Sequence, residues 1–383
     1  MCRGGRAGSR GRQPAAAARQ ARGLSQQQPA DMAGVSRQTV WVVESGISDP
    51  SLRVALALAG VLGMKLEELF GSGDAVVPVT ARPAEPLGGT GARVMLAPMG
   101  DGSVAFPLRG ATAGRVGFLP AGGLVAGTGH GHKRMSSTVR PIGPPRPTLV
   151  AAGCDPALPL LEAPLALLDP PVAFAWWPCP SRQALKLAAA GLVHVAGTHL
   201  RGPGSGSSIT RAAGLLPGGG EVIGFGSWRE GLALRPELAD RISGIQDVAD
   251  SSLRLVNREP GAEARRLLDR ALTGAGIDGR LLAGYDTRAA GHLDVASAIA
   301  AGLADTGIAM EPAARTYGLG FIPLAAEHFD LVIPAGQIST REVQGLLKVL
   351  SSAWLVDQLA GLPGYDPGRC GEPIATLPSR DQG

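Results

Sequence analysis

Two groups of residues in this 383-residue chain have the types and spacing to do chemistry. The first is Ser36, Arg37, Gln38, Thr39 and, two residues on, Trp41. Arginine can hold guanine and glutamine adenine through paired hydrogen bonds, while serine and threonine hydroxyls suit phosphates or base edges. The second group is spread over three loops: Gly153-Cys154-Asp155, Gly197-Thr198-His199 and Asn257-Arg258-Glu259-Pro260-Gly261. Each follows a short apolar run, and the first and third lead into helical patterns. In open α/β sheets, ligands bind beyond the carboxyl ends of strands, beside helix N-termini. Backbone N–H groups of the third loop could hold an anion there, with Arg258 or Arg265 adding positive charge. Cys154 also reads as a small buried residue and Asp155 as a helix cap. The four cysteines (Cys2, Cys154, Cys179, Cys370) form no close Cys-x-x-Cys pair, which argues against a zinc site and a disulfide scaffold. No nucleophile–base pair or phosphate loop stands out, so no catalytic residue, cofactor or metal is expected.

The elements that must position these residues follow from local pattern. Ser36 is a good N-cap for a helix running to about Glu44, on which Val40 and Val43 face inward. Arg37, Gln38, Thr39 and Trp41 are then left outward. Ala33-Gly34-Val35 makes a tight turn before it, with Gly34 free to adopt a left-handed conformation. This is a helix-turn-helix plan, whose second helix presents polar side chains to base edges. Five short helices are expected up to Phe70. Residues 1–71 hold nine Arg/Lys against five Asp/Glu, and the rest of the chain balances at 27 of each. The positive excess therefore sits with the expected nucleic-acid contact.

The chain as a whole divides into five parts. Residues 1–14 read as a disordered basic tail and 15–71 as the helix-turn-helix domain. Residues 72–147 are rich in Gly and Pro and read as a linker carrying a small β element, a hairpin of 93–97 and 103–108, followed by a poorly ordered loop at 127–137. From 148 to 374, apolar runs (149–152, 172–176, 193–196, 253–257 and 331–333) alternate with amphipathic segments (182–190, 262–271 and 292–301). That alternation means an α/β domain with a mainly parallel sheet. Residues 375–383 read as a tail. With 45% hydrophobic and 18% charged residues and no apolar run of about 18, the chain is expected to be globular, off the membrane and cytoplasmic. The Arg-rich start has no apolar run behind it, so a secretory leader is not expected.

Two resemblances sharpen these expectations. Gly23-Leu24-Ser25-Gln26, 33–40, Glu44-Ser45-Gly46, Asp49-Pro50-Ser51-Leu52 and Leu66-Glu67-Glu68-Leu69-Phe70 resemble the lambda-repressor-like (XRE) helix-turn-helix. This implies double-stranded DNA as partner, adds Gln26 to the DNA-facing residues, and suggests a homodimer on two half-sites. Pro29 stands where such domains usually carry Leu; inside a helix it would cost roughly 3 kcal/mol. Gly153-Cys154-Asp155-Pro156, 195–200, 257–261, Gly284-Tyr285, His292 with Val295-Ala296, 301–307, 321–324, 330–334 and 362–366 resemble the periplasmic-binding-protein-like domain related to molybdate-binding proteins. That resemblance implies two α/β lobes joined by crossing strands, one holding the Cys154 and His199 loops and the other 257–305, with the chain returning to the first near Phe321. It adds Tyr285, His292 and Asp305 to the ligand-facing residues. Its usual Pro-Gly-Ser-Gly-Thr-Arg loop is Pro260-Gly261-Ala262-Glu263-Ala264-Arg265 here, without the hydroxyls and with an extra acid. The function implied is a non-enzymatic transcription regulator sensing a small ligand, such as molybdate, tungstate or another oxyanion. The alternative is an accessory or enzyme-like protein of molybdenum-cofactor metabolism with a vestigial helix-turn-helix.

Overall fold

The computed structural model describes residues 14–45, 50–66, 77–110, 116–129, 136–201 and 206–379. It divides into two compact units, Met1–Val77 and Pro78–Gly383.

In the first unit four helices are described: α1 (Pro14–Ala21), α2 (Gln27–Ala33), α3 (Arg37–Ser45) and α4 (Leu52–Val61). The fifth expected helix begins at Leu66 and otherwise lies outside the described residues, as does the expected tail up to Gln13. Ala30, Val40, Val43 and Leu58 form one small core, and Ala15, Ala18, Ala59 and Leu62 another. Gly34 takes φ 67° and ψ 34°, ending α2 in the left-handed region that glycine adopts at little cost. Pro29 is buried as the third residue of α2. The amides of a first helical turn have no partner within the helix, so the missing donor costs far less there than the interior position implied. Gln28 Oε1 accepts from the Ser25 N–H (2.8 Å), tying the chain entering α2 to its first turn.

The second unit opens on five strands: β1 (Val79–Pro83), β2 (Arg93–Met99), β3 (Gly102–Pro107), β4 (Gly123–Gly129) and β5 (Ser136–Pro141). They close into a barrel in the order β1-β3-β2-β4-β5, so this region is a folded module rather than a linker. The expected hairpin is β2 and β3, turning at Gly100 and Asp101. The ends of the expected loop at 127–137 are strand instead: Gly127–Gly129 belongs to β4 and Ser136–Ser137 to β5, while 130–135 lie outside the described residues. Ala81, Val94, Ala105, Val125 and Val139 fill the barrel. The other face of β2 and β3 joins the next core, with the Phe106 and Trp177 rings 5.1 Å apart.

The α/β part runs from β6 (Thr148–Gly153) through α5 (Glu162–Ala166), β7 (Ala173–Pro178), α6 (Ser181–Ala189), β8 (Val195–Arg201) and α7 (Gly206–Leu215) to β9 (Gly220–Leu234). It continues with α8 (Ile245–Asp250), β10 (Leu255–Arg258), α9 (Glu263–Gly274), β11 (Arg288–Ala289), α10 (His292–Ala300), β12 (Thr306–Met310) and α11 (Glu311–Thr316). The last elements are β13 (Gly320–Pro334), α12 (Arg341–Leu350), α13 (Ala353–Ala360), β14 (Tyr365–Asp366) and β15 (Pro373–Leu377). The sheet order is β11-β10-β12-β9-β13-β8-β6-β7, with β14 and β15 added to β9. Pairings among β6–β8 and among β10–β12 are parallel, but β9 and β13 run antiparallel to their neighbours, so the sheet is mixed rather than mainly parallel. These two 15-residue strands link the halves. Phe321 still pairs with Ala233 in the second half; the return to the first comes later, where His328 and Asp330 pair with Arg201 and Thr198. Residues 375–377, expected in a tail, are the end of β15 on the edge of β9.

Candidate ligand cleft and nucleic-acid interface

On α3 the expected split between faces is present. Ser36 Oγ accepts from the Thr39 N–H (3.0 Å) as an N-cap, and Val40 and Val43 are buried. Arg37, Gln38 and Trp41 are exposed, Trp41 at 49%. A large aromatic on an otherwise polar face suits contact with sugar or a thymine methyl better than solvent. Gln26 has a different partner: its Nε2 donates to Glu44 Oε2 (2.9 Å), where Arg19 also pairs with the carboxylate. This amide braces the end of α3 against the start of α2, as Arg19 braces it against α1.

A cluster of buried polar residues, the candidate ligand cleft, lies where the halves of the sheet meet. Gly153 and Gly197 end the β6 region and line β8 beside the Phe329 ring. Thr198 is fully buried and its Oγ1 has no hydrogen-bond partner. His199 Nε2 lies 3.3 Å from Cys154 Sγ and its Nδ1 3.5 Å from Glu327 Oε2 on β13. Burial works against the His199 cation, but Cys154, Glu327 and Glu230 outweigh it and hold its pKa well above the ordinary imidazole value. His292, at the start of α10, accepts from the Met310 N–H at Nδ1 (3.2 Å), and the same nitrogen lies 3.7 Å from Glu230 Oε1. Glu230 is fully buried on β9 with neither oxygen hydrogen-bonded, and burial pushes its carboxyl up to about 7. Trp228 stacks edge-on against His199 and His292, and its Nε1 is also unpartnered. Arg258 is buried; Glu259 takes its Nε and Nη2, while Nη1 has no partner. Buried polar groups left unsatisfied cost free energy, so their concentration here makes this cluster the candidate ligand site.

The remaining expected ligand residues serve the walls. Asp155 Oδ2 accepts from the Tyr365 hydroxyl (2.5 Å) and Oδ1 from the Ala157 N–H (2.9 Å), which makes it a buried turn cap. Burial pushes its carboxyl up to about 6, against the pull of Tyr365. Asn257 spends its amide on the Tyr285 carbonyl and the Arg258 N–H. Arg265 donates to the Arg258 carbonyl and sits 5.0 Å over the Tyr285 ring, whose hydroxyl donates to Asp269. Gly261 supplies a left-handed turn (φ 96°). Asp305 pairs with Arg254 and Arg235. Glu230, Glu327 and Trp228 were missed by sequence reasoning; the available signal was the Trp228-Arg229-Glu230 triplet inside a largely apolar run.

Two family models match the chain: a helix-turn-helix over residues 16–69 and a PBP superfamily domain over 163–351. An uncharacterized HTH-type transcriptional regulator of Methanocaldococcus jannaschii, MJ0272, is 45% identical over 47 residues, 12% of this chain and 71% of that protein. The chain belongs to the XRE-type helix-turn-helix family. It carries a PBP superfamily domain behind that head. The uncharacterized protein YvgK of Bacillus subtilis is 30% identical over 146 residues, 38% of this chain, and the match spans about half (47%) of YvgK. Among solved structures, the tungstate ABC transporter from Geobacter sulfurreducens is similar at 12% identity and TM-score 0.41, covering 56% of this chain and 97% of that one. No helix among the described residues is long and apolar enough to cross a membrane.

Proposed function

We propose that this protein is a transcription regulator, not an enzyme, which binds double-stranded DNA through α3 as a dimer and senses a small polar ligand in the cleft. The observation that carries the reading is the pairing of an exposed Arg37-Gln38 face with a cleft of unpartnered buried polar groups on one chain. A dimer follows from the two half-sites that such heads read. An oxyanion such as molybdate or tungstate has Arg258 Nη1, Trp228 Nε1 and Thr198 Oγ1 in its favour, since all three can donate. Glu230 and Glu327 oppose it, because buried carboxylates repel an anion.

The test is a gel-shift titration of the full chain against DNA from its own promoter region, at low salt, with and without candidate ligands. A shift that changes with ligand is expected. If no such DNA is bound at low salt, the regulatory reading fails. A thermal-shift screen of molybdate, tungstate and sulfate decides the oxyanion version: no stabilisation by any of them ends it.

A further inference from the structure

We propose that the cleft ligand is a thiophilic transition-metal ion, zinc fitting the donor set best, held by Cys154 Sγ, His199 Nε2 and His292 Nε2. This rests on reading the cleft as the ligand site, and it names the class of ligand. The donor atoms of these three residues lie within 4.8 Å of one another. The 3.3 Å between Cys154 Sγ and His199 Nε2 is close to the edge of a tetrahedron around an ion bonded at about 2.3 Å to sulfur and about 2.0 Å to nitrogen. His292 Nδ1 faces Met310 and Glu230, so the proposal places the ion on Nε2.

Three further observations favour a cation. Each histidine has a buried carboxylate behind its Nδ1, Glu327 for His199 and Glu230 for His292. This is the carboxylate–histidine–metal arrangement, in which the acid fixes the ring and raises its basicity. An ion on His292 Nε2 requires the ring proton on Nδ1, so loading exchanges the contact with the Met310 N–H for donation to Glu230. Second, both Glu230 oxygens are buried with no hydrogen-bond partner, a costly state that a nearby cation and an imidazole N–H relieve. Third, the ligands come from both halves of the sheet: Cys154 follows β6, His199 is on β8, and His292 opens α10 beyond β11. An ion there ties the halves together, and three protein ligands leave a fourth position for water or a small anion. The Cys154–His199–Glu327 row by itself also suits an activated thiol; the second histidine with its own carboxylate decides for a metal.

The test uses the full chain stripped with a chelator and titrated with Co2+ and then Zn2+. One Co2+ per chain is expected, with a thiolate-to-cobalt charge-transfer band that Zn2+ displaces. Cys154→Ser should abolish the band, and Cys370→Ser should leave it unchanged. Glu230→Gln should weaken metal affinity by about 10–100-fold while keeping the band. A wild-type chain that takes up neither ion, or a band that survives Cys154→Ser, overturns the proposal. Gel shifts on the same samples separate it from the regulatory reading. Metal binding that leaves DNA affinity unchanged supports the metal site and overturns metal sensing. Failure to bind metal, with stabilisation by molybdate, overturns the metal site and keeps a ligand-sensing cleft.

Discussion

Gly197 has no room for a side chain. A Cβ there would come within 2.3 Å of Phe329 Cζ, and Phe329 lies edge-on to His199 with ring centroids 5.3 Å apart. Gly197→Ala therefore has to displace the ring that packs on the cleft histidine. Overpacking of this kind costs about 1–3 kcal/mol, so the variant should melt earlier and also lose ligand affinity. Normal ligand binding in a folded Gly197→Ala chain would show that Phe329 does not set the position of His199. Asp305 makes a different prediction. Its Arg254 and Arg235 partners hold its carboxyl below the ordinary value, so these pairs stabilise the fold fully above the unfolded pKa and are lost as pH falls through the folded one. Asp305→Asn should cost on the order of 1–2 kcal/mol at neutral pH, with both arginines partly solvated. Its deficit should close below about pH 4 in denaturant melts across pH. A deficit independent of pH would mean that the loss is not of charge. At this scale Cys154, Thr198, His199 and Arg258 stood out as candidates from their loops, and His292 from the resemblance alone. Convergence was not: His199 lies 45 residues from Cys154, and nothing local in the sequence marks them as neighbours.

Among the elements, α3 shows what local rules can settle. An N-cap, a left-handed glycine and two inward valines are short-range features, and each is readable within ten residues. Arg37→Ala and Gln38→Ala should leave stability nearly unchanged and each weaken specific DNA binding by about 1–3 kcal/mol. Anisotropy titrations on matched and mutated DNA check this; equal losses on both DNAs would make these phosphate contacts rather than base readers. Pro29→Ala is the complementary case. An interior proline would give back about 3 kcal/mol on replacement, whereas Pro29 in the first turn of α2 predicts a change below about 1 kcal/mol in Tm-derived stability. The barrel and β9 were hidden for the opposite reason. Barrel closure depends on β1 meeting β3 and β5, and its strands are five to seven residues long, punctuated by Gly and Pro. In β9, burial on both faces removes the alternation that reveals a strand.

For the whole molecule, the regulatory reading makes a demand that neither half meets alone. If occupancy of the cleft changes the affinity of α3 for DNA by some factor, DNA must change ligand affinity by the same factor, because the two are linked through one thermodynamic cycle. Factors of roughly 5–150 correspond to coupling free energies of about 1–3 kcal/mol. The ligand needs only to favour one of two states of the chain, and the cleft offers a basis for that: its polar groups come from both halves of one sheet, and Thr198 Oγ1, Trp228 Nε1, both Glu230 oxygens and Arg258 Nη1 are buried without partners. Measuring ligand affinity with and without saturating DNA, and DNA affinity with and without saturating ligand, gives two independent values of the factor. Agreement between them, above unity, is the expected result. A second arm uses residues 78–383, which carry their own barrel and sheet cores. That fragment should bind ligand with the affinity of the DNA-free chain and show no response to DNA. A factor of one in the full chain, with both ligands bound, would leave the head and the cleft as neighbours without communication, and regulation by the ligand would fall.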